Sequence, residues 1–578
     1  MKKKYPKLPI AIENFEELRL GKYSYVDKTK FIEEIITESP KVSLFTRPRR
    51  FGKTLNLSML RYFFDVNYIK PENMGDKHLF EGLEISKNNN LCLNHMNKYP
   101  VVSLSFKGLQ YKEHNLFLDH LREFLAFEFR KFSYLLTSPI ATEKDKTTLN
   151  NILSGRASEA ELCISLKFIT NLLEEHHKVK CYLLIDEYDA PIHFAYANGS
   201  YKNCVNFFSL LLGNALKGNS AVEKVLMTGI LRVSKESIFS DINNVTVFTV
   251  LETNYSPYFG ILEHEAEALV KTYDLQEHMP NLRFWYNGYR FGDNFTGIYN
   301  PWSILQWLAN VHHELKPYWV NTSSNDIIRT LYLEQKQALK PEFFDLFLGK
   351  TIKTQLNTET TLDANFTQNP GIFWGFMLQT GYVTVVEKTR ENDSYFYTLK
   401  IPNKEIHIVF ENMINAWLNT LSKQLNKPQL AETVGRSLAQ EDLELFHETL
   451  QEILLQTMSY HDFAQNPENA FHAFMAGLML WLTEIYDVKS NRESGKGRAD
   501  LCLIPKDSDA PAYIFEFKAI SHLKKNMILK EKVEQELQLA MQQIDAQLYE
   551  TELKSKNIEK ITKVALVFYG KQVWMQYK

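Results

Sequence analysis

The first half of the chain alternates short apolar runs with longer stretches whose apolar residues recur at helical spacing. Val42–Thr46, Val101–Phe106, Cys181–Ile185, Val225–Leu231 and Val245–Phe248 are the apolar runs. They are too short for helices and rich in β-branched and aromatic residues, so they predict about five strands interleaved with helices. From 257 onward the pattern turns mainly helical and aromatic. A helix holding Phe373, Trp374, Phe376, Met377 and Leu378 precedes two strands, Tyr382–Glu387 and Tyr395–Ile401, joined through a polar turn at Glu391-Asn392-Asp393. Near the C-terminus a period of two returns. Ala499–Ile504 and Ala512–Lys518 read as a hairpin, linked by the turn-forming residues 505–511. One helical stripe precedes it (Phe471, Met475, Leu478, Leu482). A second follows (Val533, Leu537, Ala540, Met541, Ile544, Leu548), before the apolar strand Val564–Phe568.

Side chains alternate along a strand, so Glu516 and Lys518 share one face while Phe515 and Phe517 take the other. A hairpin folded symmetrically about Ser508 pairs Asp500 with Glu516 and leaves the lysine one step away on the same face. Adjacent carboxylates are costly unless a divalent cation or a proton is shared between them. The triplet therefore predicts a metal-dependent phosphodiesterase site. Glu468 lies on the apolar stripe of the helix it begins, where a carboxylate needs a metal, lysine or hydrogen-bond partner. Gln543 sits at the edge of its own helix's apolar face. The segment Asn491–Arg498 reads as a phosphate-facing loop, basic and glycine-containing, just before Asp500. His472 reads as a core histidine and not a ligand. The order helix, hairpin, helix, strand resembles the PD-(D/E)xK nuclease superfamily. That resemblance implies that Glu468, Asp500 and Glu516 are metal-site acids for Mg2+ or Mn2+. Lys518 would orient water or steady transition-state charge, and Gln543 would be an auxiliary polar residue.

The other end carries a second phosphate signature. Arg47-Pro48-Arg49-Arg50-Phe51-Gly52-Lys53-Thr54 follows the strand Val42–Thr46 and precedes a helix start at Leu55–Leu60. Strand, loop, Gly-Lys-Thr and helix is the context of a P-loop. Gly52 lets the backbone approach phosphates, Lys53 would bind β/γ oxygens, and the Thr54 hydroxyl would coordinate Mg2+, with helix N-terminal amides adding to the cradle. The first glycine position holds Arg47, which widens the side-chain demand of the loop. Arg49 and Arg50 suit either nucleotide phosphate or a solvated loop. Cys181–Glu187 ends in two acids: Asp186 would hold Mg2+ and Glu187 would polarise the attacking water. Thr228 and Arg232 follow the next apolar run, placed as a nucleotide sensor would be. Order and context together predict an ATP site.

Composition narrows the picture less. The 578 residues carry a net charge of −3, so no global basic field advertises nucleic acid, and any such contact is a local patch, with 489–498 the best candidate. Five scattered cysteines without CxxC spacing argue for a reducing compartment and against zinc or a disulfide framework. Lys2-Lys3-Lys4 is followed by Tyr5-Pro6 and acidic residues instead of an apolar signal core. No stretch approaches the ~18 apolar residues of a membrane span. A bacterial-type cytoplasmic protein with no membrane partner is the expectation.

Taken along its length, the chain is similar to the AAA-ATPase-like family. The stretches that carry the likeness are Tyr25–Thr29, Thr46–Thr54, Asp186–Pro191, Trp285–Gly292, Asn300–Ser303 and Tyr318–Thr322. This bacterial family commonly ends in a PD-(D/E)xK nuclease domain. The resemblance implies an α/β fold: a P-loop NTPase domain (1–256) with a helical lid (257–365) and a winged-helix-like module (366–425), then a restriction-endonuclease-like α/β domain (435–578). Arg390 is balanced by Glu391 and Asp393, which favours packing over DNA binding for the wing, and Trp285–Gly292 reads as structural packing. The implied function is ATP binding or hydrolysis controlling a fused Mg2+-dependent nuclease. Its substrate would be nucleic acid, DNA ahead of RNA, with defence against foreign DNA as the analogy. The alternative is a STAND-like signalling switch whose C-terminal domain binds nucleic acid or protein without cutting. An AAA-like homo-oligomer would need an arginine from a neighbour, and Arg232 could act within the chain instead.

Overall fold

The computed structural model of the chain describes residues 5–66, 75–109, 113–233, 244–293, 297–319, 341–360, 369–424, 430–457, 471, 474–475, 478–482, 485–494, 497–507, 510–520, 528–546, 553–554 and 558–578. Two compact units emerge, the first from 1–324 with 353–406 and the second from 325–352 with 407–578.

The first unit is built on five parallel strands: β1 (Val42–Thr46), β2 (Val101–Ser105), β3 (Cys181–Asp186), β4 (Val222–Gly229) and β5 (Val245–Phe248). Their order across the sheet is β2-β3-β4-β1-β5. β1 and β3 are buried along their whole length, as strands covered on both faces must be. Helices α1 (Lys53–Phe64), α2 (Glu159–His177) and α3 (Tyr201–Leu216) are among those around the sheet. α2 starts at a capping box in which Ser158 and Glu161 satisfy each other's backbone N–H groups. Leu166, Ile169, Phe208 and Leu211 from α2 and α3 share one apolar core with Leu183 and Val225. The sheet order places β4 between β1 and β3. Phe45 pairs with Thr228, and Ile185 pairs with Met227, so the C-terminal ends of the three strands finish level. That edge is where open parallel sheets receive ligands.

Further along, helix α4 (Pro370–Thr380) leads into a hairpin of β6 (Thr384–Glu391) and β7 (Ser394–Lys400). The strands run closer to the turn than the sequence pattern predicts. Asn392 and Asp393 both adopt left-handed φ, 44° and 64°, and Glu391 pairs directly with Ser394. Such two-residue turns match the strands' own twist, so pairing continues to the tip.

The second unit carries β8 (Tyr486–Ser494), β9 (Gly497–Pro505), β10 (Ala512–Ala519), β11 (Ile561–Tyr569) and β12 (Gln572–Tyr577), in that order across the sheet. Only the β10–β11 pairing is parallel, and helix α5 (Leu529–Ala546) lies between these two strands in the chain. Its Ala540, Met541 and Ile544 pack with Ile504, Ile514 and Ala565 of the sheet. The expected phosphate-facing loop 491–498 is largely strand: Arg492 pairs with Ala499, Glu493 with Arg498 and Ser494 with Gly497. β8 thereby meets the backbone groups of β9 on the edge away from β10.

One buried acid in the first unit titrates with folding. Glu405, fully buried at the start of the helix Lys404–Gln424, accepts the Trp319 N–H at 2.7 Å and the Ser303 hydroxyl at 2.8 Å. Burial outweighs these bonds and pushes its carboxyl up to about 7. Between its ordinary value and about 7 the native chain holds a proton that the unfolded chain releases, so stability is lost as pH rises through this window. The first unit should therefore melt lower at pH 7.5 than at pH 5, with about 2 kcal/mol of the difference due to this group. Glu405→Gln should flatten that part of the profile in calorimetric scans, and an unchanged slope would assign it elsewhere.

Candidate nucleotide and metal sites

At the C-terminal edge of the parallel sheet, three elements meet on one carboxylate. Thr54, in the first turn of α1, donates its hydroxyl to Asp186 Oδ2 at 2.7 Å, and Thr228 at the end of β4 donates to Oδ1. Gly52 precedes α1 with φ +84°, a conformation that L side chains rarely adopt, and open space lies where a Cβ would project. Lys53 is buried and donates to the carbonyls of Arg47 and Pro48, both at 2.9 Å. Burial lowers its ammonium to about 8, with Asp186, Asp189 and Glu187 opposing the shift. Glu187 has φ +49°, and burial followed by the adjacent Asp186 raises its pKa. Arg232 donates its backbone N–H to Gln379 Oε1 at 3.1 Å and pairs in a short parallel bridge with Glu359.

The loop before Gly52 is held from outside by residues of the 248–319 region. Arg47 is fully buried. Its guanidinium donates to the carbonyls of Thr46 and Phe248 at 2.8 and 2.7 Å and lies 5.0 and 5.2 Å from the rings of Phe259 and Phe291. Burial lowers its pKa to about 10. The side chain that stands where a glycine is usual is thus directed into the core, away from the cradle. Arg50 lies 4.2 Å over the Trp302 ring, and the Arg49 carbonyl accepts the Trp319 indole N–H at 3.3 Å. Phe51 packs edge-on against Tyr289, and its carbonyl accepts the Gly260 N–H at 3.1 Å. Tyr286 and Tyr289 of the Trp285–Gly292 motif are buried, and Gly288, at φ +121°, has no room for a Cβ, which would meet the Pro402 carbonyl at 2.0 Å. The donor set Thr54 and Asp186, with a buried ammonium beside it, fits Mg2+ and a triphosphate.

In the second unit the hairpin ladder runs Leu503↔Tyr513, Cys502↔Ile514 and Leu501↔Phe515, the register expected from a turn centred on Ser508. One step further on, Asp500 Oδ2 accepts the Phe517 N–H at 2.7 Å. Glu516 is buried, and Lys518 Nζ reaches its Oε1 at 3.2 Å. Gln543 lies half-buried on α5. Glu468 and His472 lie outside the described residues. Among the described residues no group of three or more His, Cys, Asp and Glu side chains is placed to hold a metal. The two hard carboxylates Asp500 and Glu516 suit Mg2+ or Mn2+ in donor chemistry.

A family model described as "Predicted AAA-ATPase" matches residues 9–239, and one described as "PD-(D/E)XK nuclease superfamily" matches residues 466–578. The chain joins an AAA-ATPase-like domain to a PD-(D/E)XK nuclease-superfamily domain. The chain is 26% identical over 528 residues to an uncharacterized protein in the vnfD 5′ region of Azotobacter chroococcum mcd 1, covering 89% of each. A STAND ATPase with a tetratricopeptide repeat sensor from Pyrococcus horikoshii aligns at 12% identity with a TM-score of 0.23, over 84% of this chain and 60% of that one. That likeness is too slight to carry an argument. No described helix is long and apolar enough to cross a membrane, and no disulfide joins cysteines among the described residues.

Asp189 lies within the stretch Asp186–Pro191, and no local spacing marks its role. Its partners Ile230 and Leu231 stand 41 and 42 residues further on.

Lys53 yields a test that needs no turnover. Its lowered ammonium should regain a proton when a triphosphate arrives, so ATP binding at pH ~8.5 should take up protons, visible by calorimetry in buffers of different ionisation enthalpy. Lys53→Ala should lose ATP affinity by about 100-fold or more while keeping its fold, since one charged contact to phosphate exceeds a neutral hydrogen bond. Unchanged affinity would defeat the assignment.

Proposed function

We propose that the AAA-ATPase-like domain binds and hydrolyses ATP with Mg2+, and that its nucleotide state governs a metal-dependent nuclease in the C-terminal domain. In this reading Lys53 and Thr54 hold the triphosphate and its metal, Asp186 supplies the second metal contact, and Glu187 takes a proton from the attacking water. Burial and the adjacent Asp186 raise the Glu187 pKa, the direction that makes it a better proton acceptor. Arg49 and Arg50 contribute to the loop through Trp319 and Trp302, and Thr228 and Arg232 read the nucleotide's presence at the end of β4.

The observation that carries the nuclease half is a buried Glu516 bonded to Lys518, one register step from the ladder that brings up Asp500. A carboxylate so placed needs a compensating charge, and a lysine beside it is the group a phosphodiester displacement requires. A bound divalent ion would supply charge neutralisation and an activated water. Asp500 and Glu516 would hold it with Glu468, Lys518 would orient the water, and Gln543 would assist. The substrate is nucleic acid, DNA ahead of RNA. A nuclease under a nucleotide-driven switch suits defence against foreign DNA.

Cleavage of single- and double-stranded DNA and RNA with Mg2+ or Mn2+, with and without ATP, tests this. Asp500→Ala should reduce cutting by about 100-fold or more and leave ATP turnover intact. Glu187→Gln should bind ATP, fail to hydrolyse it, and cut without the wild-type response to ATP. Metal-dependent cutting unchanged in Asp500→Ala would reject the site. No cutting on any substrate would favour a switch that carries a non-cleaving binding module.

A further inference from the structure

The exit of β4 runs Thr228-Gly229-Ile230-Leu231-Arg232, and the turn after Asp186 grips it. Tyr188 donates its backbone N–H to the Thr228 carbonyl at 3.1 Å and its hydroxyl to the Leu231 carbonyl at 2.8 Å. Asp189 Oδ2 accepts the N–H groups of Ile230 and Leu231 at 2.9 and 2.8 Å and lies 3.0 Å from His193 Nε2. Burial alone would raise this carboxyl. The His193 ring and the two backbone N–H groups outweigh it and hold Asp189 below its ordinary value.

The position is unusual for an aspartate. Asp189 stands at the N-cap of the helix Ala190–Ala197 and accepts no backbone N–H of that helix with its side chain, although aspartate there ordinarily caps its own first turn. Its acceptor oxygen is directed at the neighbouring strand's exit instead. Gly229 completes the fit. A Cβ there would lie 2.6 Å from the Tyr188 ring and 2.8 Å from Asp189 Oδ1, and its carbonyl accepts the Arg47 N–H at 3.1 Å. The turn after β3, the β4 exit and the P-loop therefore interlock at one point.

The geometry points to Asp189 as a positioning residue for ATP hydrolysis: through Ile230 and Leu231 it fixes the β4 exit and so sets Thr228 against Asp186, the residue before Glu187. Asp189 touches no reacting group in this scheme. Because Asp186, Glu187, Tyr188 and Asp189 are consecutive, the metal-holding acid and the water-polarising acid move with the clamp that fixes the sensor. The inference rests on the ATP-hydrolysing reading above.

ATP turnover, ATP affinity and thermal melting of the full chain test it in wild type, Asp189→Ala, Asp189→Asn and Tyr188→Phe. Asp189→Ala should lower kcat about 100-fold with KM within about threefold of wild type, the pattern of a misplaced catalytic set with intact binding. Asp189→Asn keeps an oxygen that accepts both N–H groups and should recover most of kcat. Tyr188→Phe removes one hydroxyl from the same exit and should lower kcat about tenfold with KM unchanged. If Asp189→Ala does not fold, Tyr188→Phe decides, and a wild-type kcat there overturns the role. An Asp189→Ala chain as fast as wild type, or an Asp189→Asn chain as slow as Asp189→Ala, also overturns it. A wild type that turns over no ATP overturns the proposed function itself.

Discussion

The first unit depends on a single buried carboxylate that is held from two sides. Asp186 closes β3, Thr54 comes from the helix after β1, and Thr228 ends β4. Only the order β3-β4-β1 makes this possible, because it sets the β4 terminus between the P-loop and the acid. Both hydroxyls donate to the carboxylate, so the groups that would meet a metal are aligned by hydrogen bonds before any ligand arrives. Alignment of this kind lowers the reorganisation that binding and chemistry would otherwise demand.

The two units handle buried charge in different ways. In the first, Lys53 and Arg47 are cations buried against backbone carbonyls, with the aromatic rings of Phe259 and Phe291 about the guanidinium. Carbonyl dipoles and ring faces soften the desolvation without cancelling the charge. In the second, Glu516 is compensated by a lysine two residues along the same strand, an arrangement that follows from the period of a strand alone. The first solution is distributed over distant parts of the chain and the second is local.

That difference decides what could be read from the sequence. Strands β1 and β3 were legible because burial on both faces writes itself as an unbroken apolar run. The β9–β10 register was legible because a short turn leaves few ways to pair two strands, and Leu501↔Phe515 follows from its centre. The end of β8 reads as part of a loop because Asn491–Arg498 is basic and glycine-containing, although an edge strand can be polar too. The interior placement of Arg47 was not legible, since its acceptor on Phe248 lies 201 residues away. Glu405 was missed for the same reason: its partners Ser303 and Trp319 are 102 and 86 residues distant. Periodicity reports on neighbours along an element, and it is silent about partners that only the tertiary fold supplies.

Those distances set an order of events during synthesis. The Gly-Lys-Thr segment leaves the ribosome long before Phe248, Phe259, Phe291, Trp302 and Trp319, the residues that fix the shape of the loop ahead of it. Contacts between segments so far apart form only after the intervening chain has been ordered, because loop closure must precede them. A nascent chain ending short of Trp319 carries the whole phosphate motif in sequence and lacks the indole N–H that the Arg49 carbonyl accepts. The proposed nucleotide would therefore meet a loop whose anchors come from across the finished first unit.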